Sequence, residues 1–124
     1  MLMRLEYVIV FCSDMKRSIE FYRDRLGFPL KRESPEWSEL HCGPVTLALH
    51  IGKPAPKSPW VRGETAAGQA QLGLEVLDLE AFYREKKEKG VEFALPPTKQ
   101  EFGAHLAVLL DPDGMPISVT AEIR

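Results

Sequence analysis

The chain has 124 residues, of which 44% are hydrophobic and 27% are charged, and its formal net charge is −2. This composition is typical of a single globular domain with an ordinary core. The weak negative charge argues against nucleic acid or an anionic membrane as the main partner, because both favour a basic surplus. No apolar run reaches the ~18 residues that a membrane-spanning helix requires.

The cysteine content points to a compartment and excludes one class of site. Cys12 and Cys42 are the only two cysteines, and each lies in an apolar run far from the other in sequence. Zinc motifs need clustered cysteines or histidines at short spacing, which this pair does not provide. Two isolated thiols in apolar runs are typical of a reducing compartment. We therefore expect a cytoplasmic protein.

The first half of the chain begins with a strand and a helix. The run from Leu5 to Cys12 is apolar and rich in β-branched residues, which predicts a strand. Asp14 is a good N-cap, and Gly27 is a typical residue just past a helix end. The sequence therefore predicts a helix over Asp14–Gly27. One face of it would collect Met15, Ile19, Tyr22 and Leu26.

The second half repeats this plan. Asp78 stands 64 residues after Asp14, about half the chain, and can cap a second helix that runs to about Lys89 before Gly90. Asp111-Pro-Asp-Gly114 predicts a type I turn between two strands. In full, the predicted strands are Leu5–Cys12, Trp37–Cys42, Val45–Ile51, Gln71–Val76, a short run at Val91–Phe93, Ala104–Leu110 and Pro116–Ile123.

Each half thus follows the order βαβββ. We expect one α+β domain over residues 1–124, with modules at about 1–51 and 69–124 whose strands form a curved mixed sheet shaped as a cup. The loop at 52–68 joins the modules and contains three prolines and Trp60. A flexible connector explains its length, and so does a lid that carries Trp60 over a ligand.

Alternation along the strands separates a core face from a more polar face. In Val45–Ile51 every second residue is apolar, and the residues between them are small or polar. The first strand is ambiguous, because both of its faces are apolar. The polar face either meets water or lines a ligand cavity. Its predicted members are Thr46, Ala48, His50, Gln71, Gly73, Glu75, Ser118, Thr120 and Glu122.

These features resemble the vicinal oxygen chelate superfamily, which includes glyoxalase I, bleomycin-resistance proteins and extradiol dioxygenases. The resemblance rests on the duplicated βαβββ pattern and on three sequence motifs, and it extends over nearly the whole chain. It is specific for the glyoxalase-like fold and much less so for an activity. The motifs are Tyr7–Asp14 with Ser18–Tyr22, Leu26–Phe28, and Asp111–Gly114 before the last strand.

The resemblance also implies where a divalent metal ion would be held. Superfamily enzymes take ligands from the opening and closing strands of each module, and these positions fall on Tyr7, near Ala48, on Gln71 and on Ser118. Catalytic sites normally offer three good nitrogen or oxygen donors, and this set does not provide them. We therefore expect no metal cofactor.

The sequence predicts a protein that binds a small organic molecule without a catalytic metal. The alternative is a metal-dependent lyase, isomerase or dioxygenase of the same superfamily, so enzymatic activity stays open. A third possibility is an interaction module whose polar sheet face another chain covers. The resemblance further implies a homodimer. The predicted ligand-binding residues are Tyr7, Thr46, His50, Trp60, Gln71, Glu75 and Ser118.

Overall fold

The computed structural model describes residues 2–54, 67–100 and 105–121. The chain divides into two compact units, Met1–Pro54 (unit 1) and Ala55–Arg124 (unit 2). Unit 1 contains β1 (Tyr7–Cys12), α1 (Met15–Ile19), a π-helix (Glu20–Arg25), β2 (Leu30–Arg32), β3 (Trp37–Cys42) and β4 (Val45–Ile51). Unit 2 contains β5 (Leu72–Val76), α2 (Leu79–Glu88), β6 (Glu92–Lys99), β7 (His105–Leu110) and β8 (Pro116–Ala121). The predicted α+β class and the order βαβββ in each half are confirmed.

Each unit has one four-stranded mixed sheet, and the two sheets have the same topology. Their strand orders are β1-β4-β3-β2 and β5-β8-β7-β6, and the first pair of each order is parallel. Val8 lies opposite Leu47 in unit 1, as Leu72 lies opposite Ile117 in unit 2. Val8 and Leu72 each stand six residues before the aspartate that caps the next helix, so these two pairs are equivalent.

These matched pairs identify equivalent positions in the two units. Tyr7 directly precedes Val8, as Gln71 precedes Leu72. Ala48 directly follows Leu47, as Ser118 follows Ile117. Tyr7 is thus equivalent to Gln71, and Ala48 to Ser118. Period-two alternation then places each of these pairs on the corresponding face of its sheet.

Both predicted helix starts are confirmed by capping hydrogen bonds. The side chain of Asp14 accepts from the Arg17 amide, and that of Asp78 accepts from the Ala81 amide, each at 3.0 Å. Each bond satisfies one of the amides that lack a partner in the first turn of a helix. Within the described ranges, no helix has the length and apolar character needed to cross a membrane.

The prediction of one regular helix over Asp14–Gly27 is wrong in its second half, which is a π-helix. There the Leu26 amide donates to the Phe21 carbonyl, five residues back, at 3.0 Å. The wider turn changes which side chains face the sheet. As a result Phe21 is buried together with Tyr22, whereas Leu26 stays partly exposed.

Two strands differ from the sequence prediction. β2 was not predicted, because its three residues, Leu30–Arg32, are too few to show a pattern and pair with β3 through a register shift. β6 is longer than the predicted run Val91–Phe93 and includes Pro96 and Pro97. Proline lacks an amide donor, but β6 lies at the edge of its sheet, where that donor is not needed.

Over the described residues, one face of the unit 1 sheet lies against α1 and the opposite face, which we call the open face, is more exposed. The α1 segment contacts β3 and β4. Buried side chains on the covered face include Val10, Cys12, Leu40, Leu47 and Leu49. Tyr7, Ile9 and Phe11 lie on the opposite face and are exposed. Pairing with β4 thus resolves the ambiguity of the first strand.

Candidate functional site

Four aromatic rings form a continuous row on the open face of unit 1. The ring centroids of Tyr7 and Trp37 are 6.1 Å apart, those of Trp37 and His50 are 6.0 Å apart, and those of His50 and Phe11 are 5.6 Å apart. All three contacts are edge-to-face, which is a favoured geometry for aromatic pairs. We call these four side chains the aromatic row.

The register explains how β1, β3 and β4 bring the row together. Phe11 and Trp37 both lie directly opposite His50, one on each side of β4. Tyr7 lies opposite Thr46, four residues before His50 on β4. The Trp37 side chain therefore reaches diagonally across β4 to contact the Tyr7 ring. Ala48 occupies this crossing and is fully buried. A larger side chain there would compete with the two rings for space.

A glycine allows Phe11 to sit at the end of the row. A Cβ placed on Gly52 would come within 3.3 Å of the Phe11 Cβ, which is tighter than most real contacts. The Gly52 amide donates to the Cys12 carbonyl at 2.8 Å and continues the pairing of β1 with the chain after β4. The backbone therefore passes close beside the Phe11 ring.

Trp37 also holds a carboxylate at this face. Its Nε1–H donates to Glu39 Oε2 at 2.8 Å, and Lys31 Nζ lies 3.7 Å from Glu39 Oε1. The indole hydrogen bond is the main reason that the pKa of Glu39 lies below its usual range, and the charges of Arg32 and Lys31 act in the same direction. Only 17% of the Glu39 side chain is exposed. Glu39 is therefore ionised and already paired.

His50 presents an acceptor within the aromatic row. Its Nδ1 lies 2.6 Å from the Ile51 carbonyl oxygen, which can only accept. In the neutral imidazole this contact places the proton on Nδ1 and leaves Nε2 as an acceptor. Thr46 lies opposite Tyr7 on the same face, with its Oγ1 3.5 Å from Lys31 Nζ.

We call the face of the unit 2 sheet that carries Ser118 its open face, and along β5 and β8 its side chains are more polar than those of unit 1. Gln71 Nε2 donates to Ser118 Oγ at 2.5 Å, which joins the residue before β5 to β8. Glu75 lies opposite Thr120 and is exposed. Gly73 lies opposite Ser118 and has open space where a Cβ would stand. Small groups therefore leave room beside the hydrogen-bonded pair.

The residues at the ligand positions that the resemblance implies do not fit a divalent metal ion. Ala48 offers no donor atom, and Ser118 Oγ accepts a hydrogen bond from the Gln71 amide group. The ring of Tyr7 packs against Trp37. In the part of the chain that the structure describes, no three His, Cys, Asp or Glu side chains lie close enough to hold a metal. Metal sites need more and better donors.

The structure also argues against a reactive thiol at Cys42. Burial raises the pKa of its thiol, which keeps the sulfur protonated at neutral pH. Nucleophilic cysteines instead have a lowered pKa in electropositive surroundings. Cys42 therefore acts as a small, half-buried side chain of β3.

The structure places the predicted site residues in two groups. Tyr7, Thr46 and His50 lie on the open face of unit 1, and Trp37 links the rings of Tyr7 and His50. Gln71, Glu75 and Ser118 lie on the open side of unit 2, where Gln71 contacts Ser118. Trp60 lies outside the described residues.

Sequence reasoning missed three members of the unit 1 face, namely Phe11, Trp37 and Glu39. Alternation along β3 could have indicated that Trp37 and Glu39 share a face. In the structure this face, with His41, is less buried than the face of Ser38, Leu40 and Cys42. The prediction treated Trp37–Cys42 as a strand without assigning its faces. For Phe11 no such signal existed, since both faces of β1 are apolar.

The duplicated βαβββ units define the class: an α+β protein with two mixed sheets of glyoxalase-like topology. The model of the Glyoxalase/Bleomycin resistance protein/Dioxygenase superfamily matches residues 4–119. The chain belongs to this superfamily.

Known relatives are similar over almost their whole length. The uncharacterized protein YraH of Bacillus subtilis (strain 168) is 28% identical over 118 residues, which are 90% of this chain and 92% of that protein. The crystal structure of SMU.1112c is 27% identical with a TM-score of 0.82, covering 97% of this chain and 99% of that one. A glyoxalase family protein from Enterococcus faecalis is 25% identical with a TM-score of 0.79, covering 94% and 96%.

Proposed function

We propose that this protein binds a small, partly apolar organic molecule and does so without a catalytic metal ion. The observation that carries the proposal is the chemistry at the family's four ligand positions. In unit 2 the two side chains hydrogen-bond to each other, and in unit 1 one position is Ala48 and the other is an aromatic ring in contact with Trp37. Apolar surface with a few polar groups is typical of small-molecule binding.

The polar groups on the open faces support binding rather than a defined reaction. His50 Nε2 and the exposed Glu75 carboxylate can accept hydrogen bonds, and the Tyr7 hydroxyl can donate or accept one. Such groups orient a ligand. General acid–base catalysis would need a group within hydrogen-bond reach of a reacting atom and a second group to orient it.

Metal content is the first test of the proposal. The full chain, purified without chelators, should carry well below one equivalent of any divalent transition metal by elemental analysis. Gln71→Ala provides the matched variant, because it removes the best remaining metal donor among the four positions. Close to one equivalent in the native protein, lost in Gln71→Ala, would contradict the proposal and favour the metal-dependent lyase, isomerase or dioxygenase.

Ligand binding is the second test. A library of small organic compounds is screened by thermal unfolding, since a compound that binds only the folded state raises the melting temperature. We expect hits that lose their effect in His50→Ala and keep it in His105→Ala. His105 is an exposed histidine of β7 and serves as the control. If no compound stabilises the protein, the binding proposal fails.

We also propose that the protein is a cytoplasmic homodimer. Superfamily membership supports the dimer, and so does the exposed apolar surface of Leu2, Met3 and Leu5, since large exposed apolar groups often mark interfaces. The presence of only two cysteines supports a reducing compartment. Light scattering after size exclusion should give twice the mass of 14.0 kDa, and a monomeric mass would contradict the dimer.

A further inference from the structure

The aromatic row leaves much of its ring surface accessible. Tyr7 is 47% exposed and Phe11 is 65% exposed, although both are large apolar side chains in a strand. Because the rings meet edge to face, each contact uses the face of one ring and only the edge of the other. Ring surface therefore remains for a further flat group to pack on.

The row contains one polar acceptor in its middle. His50 lies between Phe11 and Trp37, and its Nδ1 contact with the Ile51 carbonyl leaves Nε2 to accept. The other hydrogen-bonding group of the inner rings, the Trp37 Nε1–H, is already donated to Glu39. A molecule on the row can thus satisfy Nε2 by donating an O–H or N–H.

The charges beside the row indicate a neutral molecule. Glu39 is ionised, but Lys31 Nζ lies 3.7 Å from its carboxylate and Trp37 Nε1–H donates to it. The Lys31–Glu39 pair carries no net charge, and the charge of Arg32 further offsets the carboxylate, so no unbalanced negative charge attracts a cation to the row. Apolar rings beside a neutralised pair favour a ligand that itself has no charge.

We propose that the aromatic row binds a neutral, planar aromatic compound whose hydroxyl or N–H group donates a hydrogen bond to His50 Nε2. The inference rests on the proposed function and names the class of ligand for it. Trp37 and Phe11 provide ring surface, Glu39 holds the Trp37 indole in place, and Ala48 leaves the space in which the indole reaches Tyr7.

Three probes of similar size separate the features of this ligand class. 2-Naphthol is flat and carries a hydroxyl donor, 2-methoxynaphthalene is flat without a donor, and decahydro-2-naphthol carries a donor on a saturated ring system. Each is titrated into the full chain by calorimetry and by NMR. We expect 2-naphthol to bind about ten-fold more tightly than decahydro-2-naphthol and about five-fold more tightly than 2-methoxynaphthalene.

Two variants assign these differences to residues. His50→Phe keeps an aromatic ring and removes the acceptor, so 2-naphthol and 2-methoxynaphthalene should bind it with nearly equal affinity. Phe11→Leu keeps apolar volume and removes a ring, so both naphthalenes should bind several-fold more weakly while decahydro-2-naphthol changes little. His105→Ala is the control and should behave as the native protein. NMR spectra of each variant check that it is folded.

The outcomes separate this inference from the proposed function. If decahydro-2-naphthol binds as tightly as 2-naphthol, the aromatic class is wrong and small-molecule binding stands. If the preference for 2-naphthol over its methyl ether survives in His50→Phe, the role of His50 is wrong. If none of the three probes binds, the inference about the aromatic row is wrong, and the library screen decides the proposed function separately.

Discussion

Gln71 and Ser118 are joined by a hydrogen bond of 2.5 Å from the side-chain amide to the hydroxyl, and they occupy the places equivalent to Tyr7 and Ala48 in the other unit. The two units thus have different side chains at the same two positions. In unit 2 both side chains are polar and hydrogen-bond to each other. In unit 1 one member is an aromatic ring and the other is too small to reach it, so Trp37 completes the surface instead.

We predict that Gln71 and Ser118 are energetically coupled. Gln71→Ala, Ser118→Ala and the double variant form a mutant cycle in which the coupling free energy of unfolding should be about 0.5–1 kcal/mol, the lower range for a hydrogen bond because the pair is exposed. Urea denaturation measures each free energy of unfolding. Strictly additive losses would mean that the bond does not form in solution.

We predict that Ser18→Ala stabilises the protein. Ser18 is fully buried in α1, and its hydroxyl has no hydrogen-bond partner in the described part of the chain. Alanine removes the unsatisfied group and is a better helix former, so the free energy of unfolding should rise by about 1 kcal/mol. Thermal and urea unfolding measure the change.

Ser38 is the matched control for Ser18. It is equally buried, but its hydroxyl accepts from the Ser34 amide and donates to the Ser34 carbonyl, each at 3.2 Å. Ser38→Ala should therefore lower the free energy of unfolding by about 1–2 kcal/mol. A loss of stability in both variants would show that the Ser18 hydroxyl has a partner in solution.

We predict that Asp111 stabilises the turn before β8 through its role as an acceptor. Its Oδ1 accepts from the Asp113 amide at 2.9 Å and from the Met115 amide at 2.8 Å, and the residue is buried. Asp111→Ala removes the acceptor of two part-buried amides and should cost about 1–3 kcal/mol. Asp111→Asn retains a carbonyl acceptor and should lose less. Equal losses in the two variants, measured by urea unfolding, would contradict this explanation.

We predict that the pKa of Glu39 depends on Trp37. The indole hydrogen bond holds this pKa below its usual range, so Trp37→Phe should raise it toward that of an exposed glutamate. Carbon-detected NMR of the side-chain carboxyl measures the titration in both proteins. An unchanged pKa in Trp37→Phe would show that Arg32 and Lys31, and not the indole, cause the shift.

The same pKa shift has a consequence for stability. Because folding lowers the pKa of Glu39, its ionised form adds stability at pH values above the pKa of the unfolded chain. That contribution is lost as the pH falls through the lower pKa of the folded protein. In Trp37→Phe the acid-dependent part of the free energy of unfolding should therefore be smaller than in the native protein.

Local patterns in the sequence were sufficient for most of the fold. Val45–Ile51 alternates strictly, and β4 has these same bounds. Asp14 and Asp78 cap their helices as predicted, because an N-cap depends only on the residues of the first turn. The equivalence of Tyr7 with Gln71 follows from their equal spacing from Asp14 and Asp78, and the parallel strand pairs extend it to Ala48 and Ser118.

Properties that depend on distant residues required the tertiary structure. Both faces of β1 are apolar, so alternation could not tell which would be covered, and only the pairing with β4 placed Phe11 beside His50. The sequence pattern of Glu20–Arg25 gave no sign of the π-helix, which buries Phe21 beside Tyr22. The aromatic row joins residues from three strands, and the small side chain of Ala48 lies at the register position between Tyr7 and Trp37. Spacing along a chain determines local conformation, whereas contact between strands is determined by how the sheet assembles.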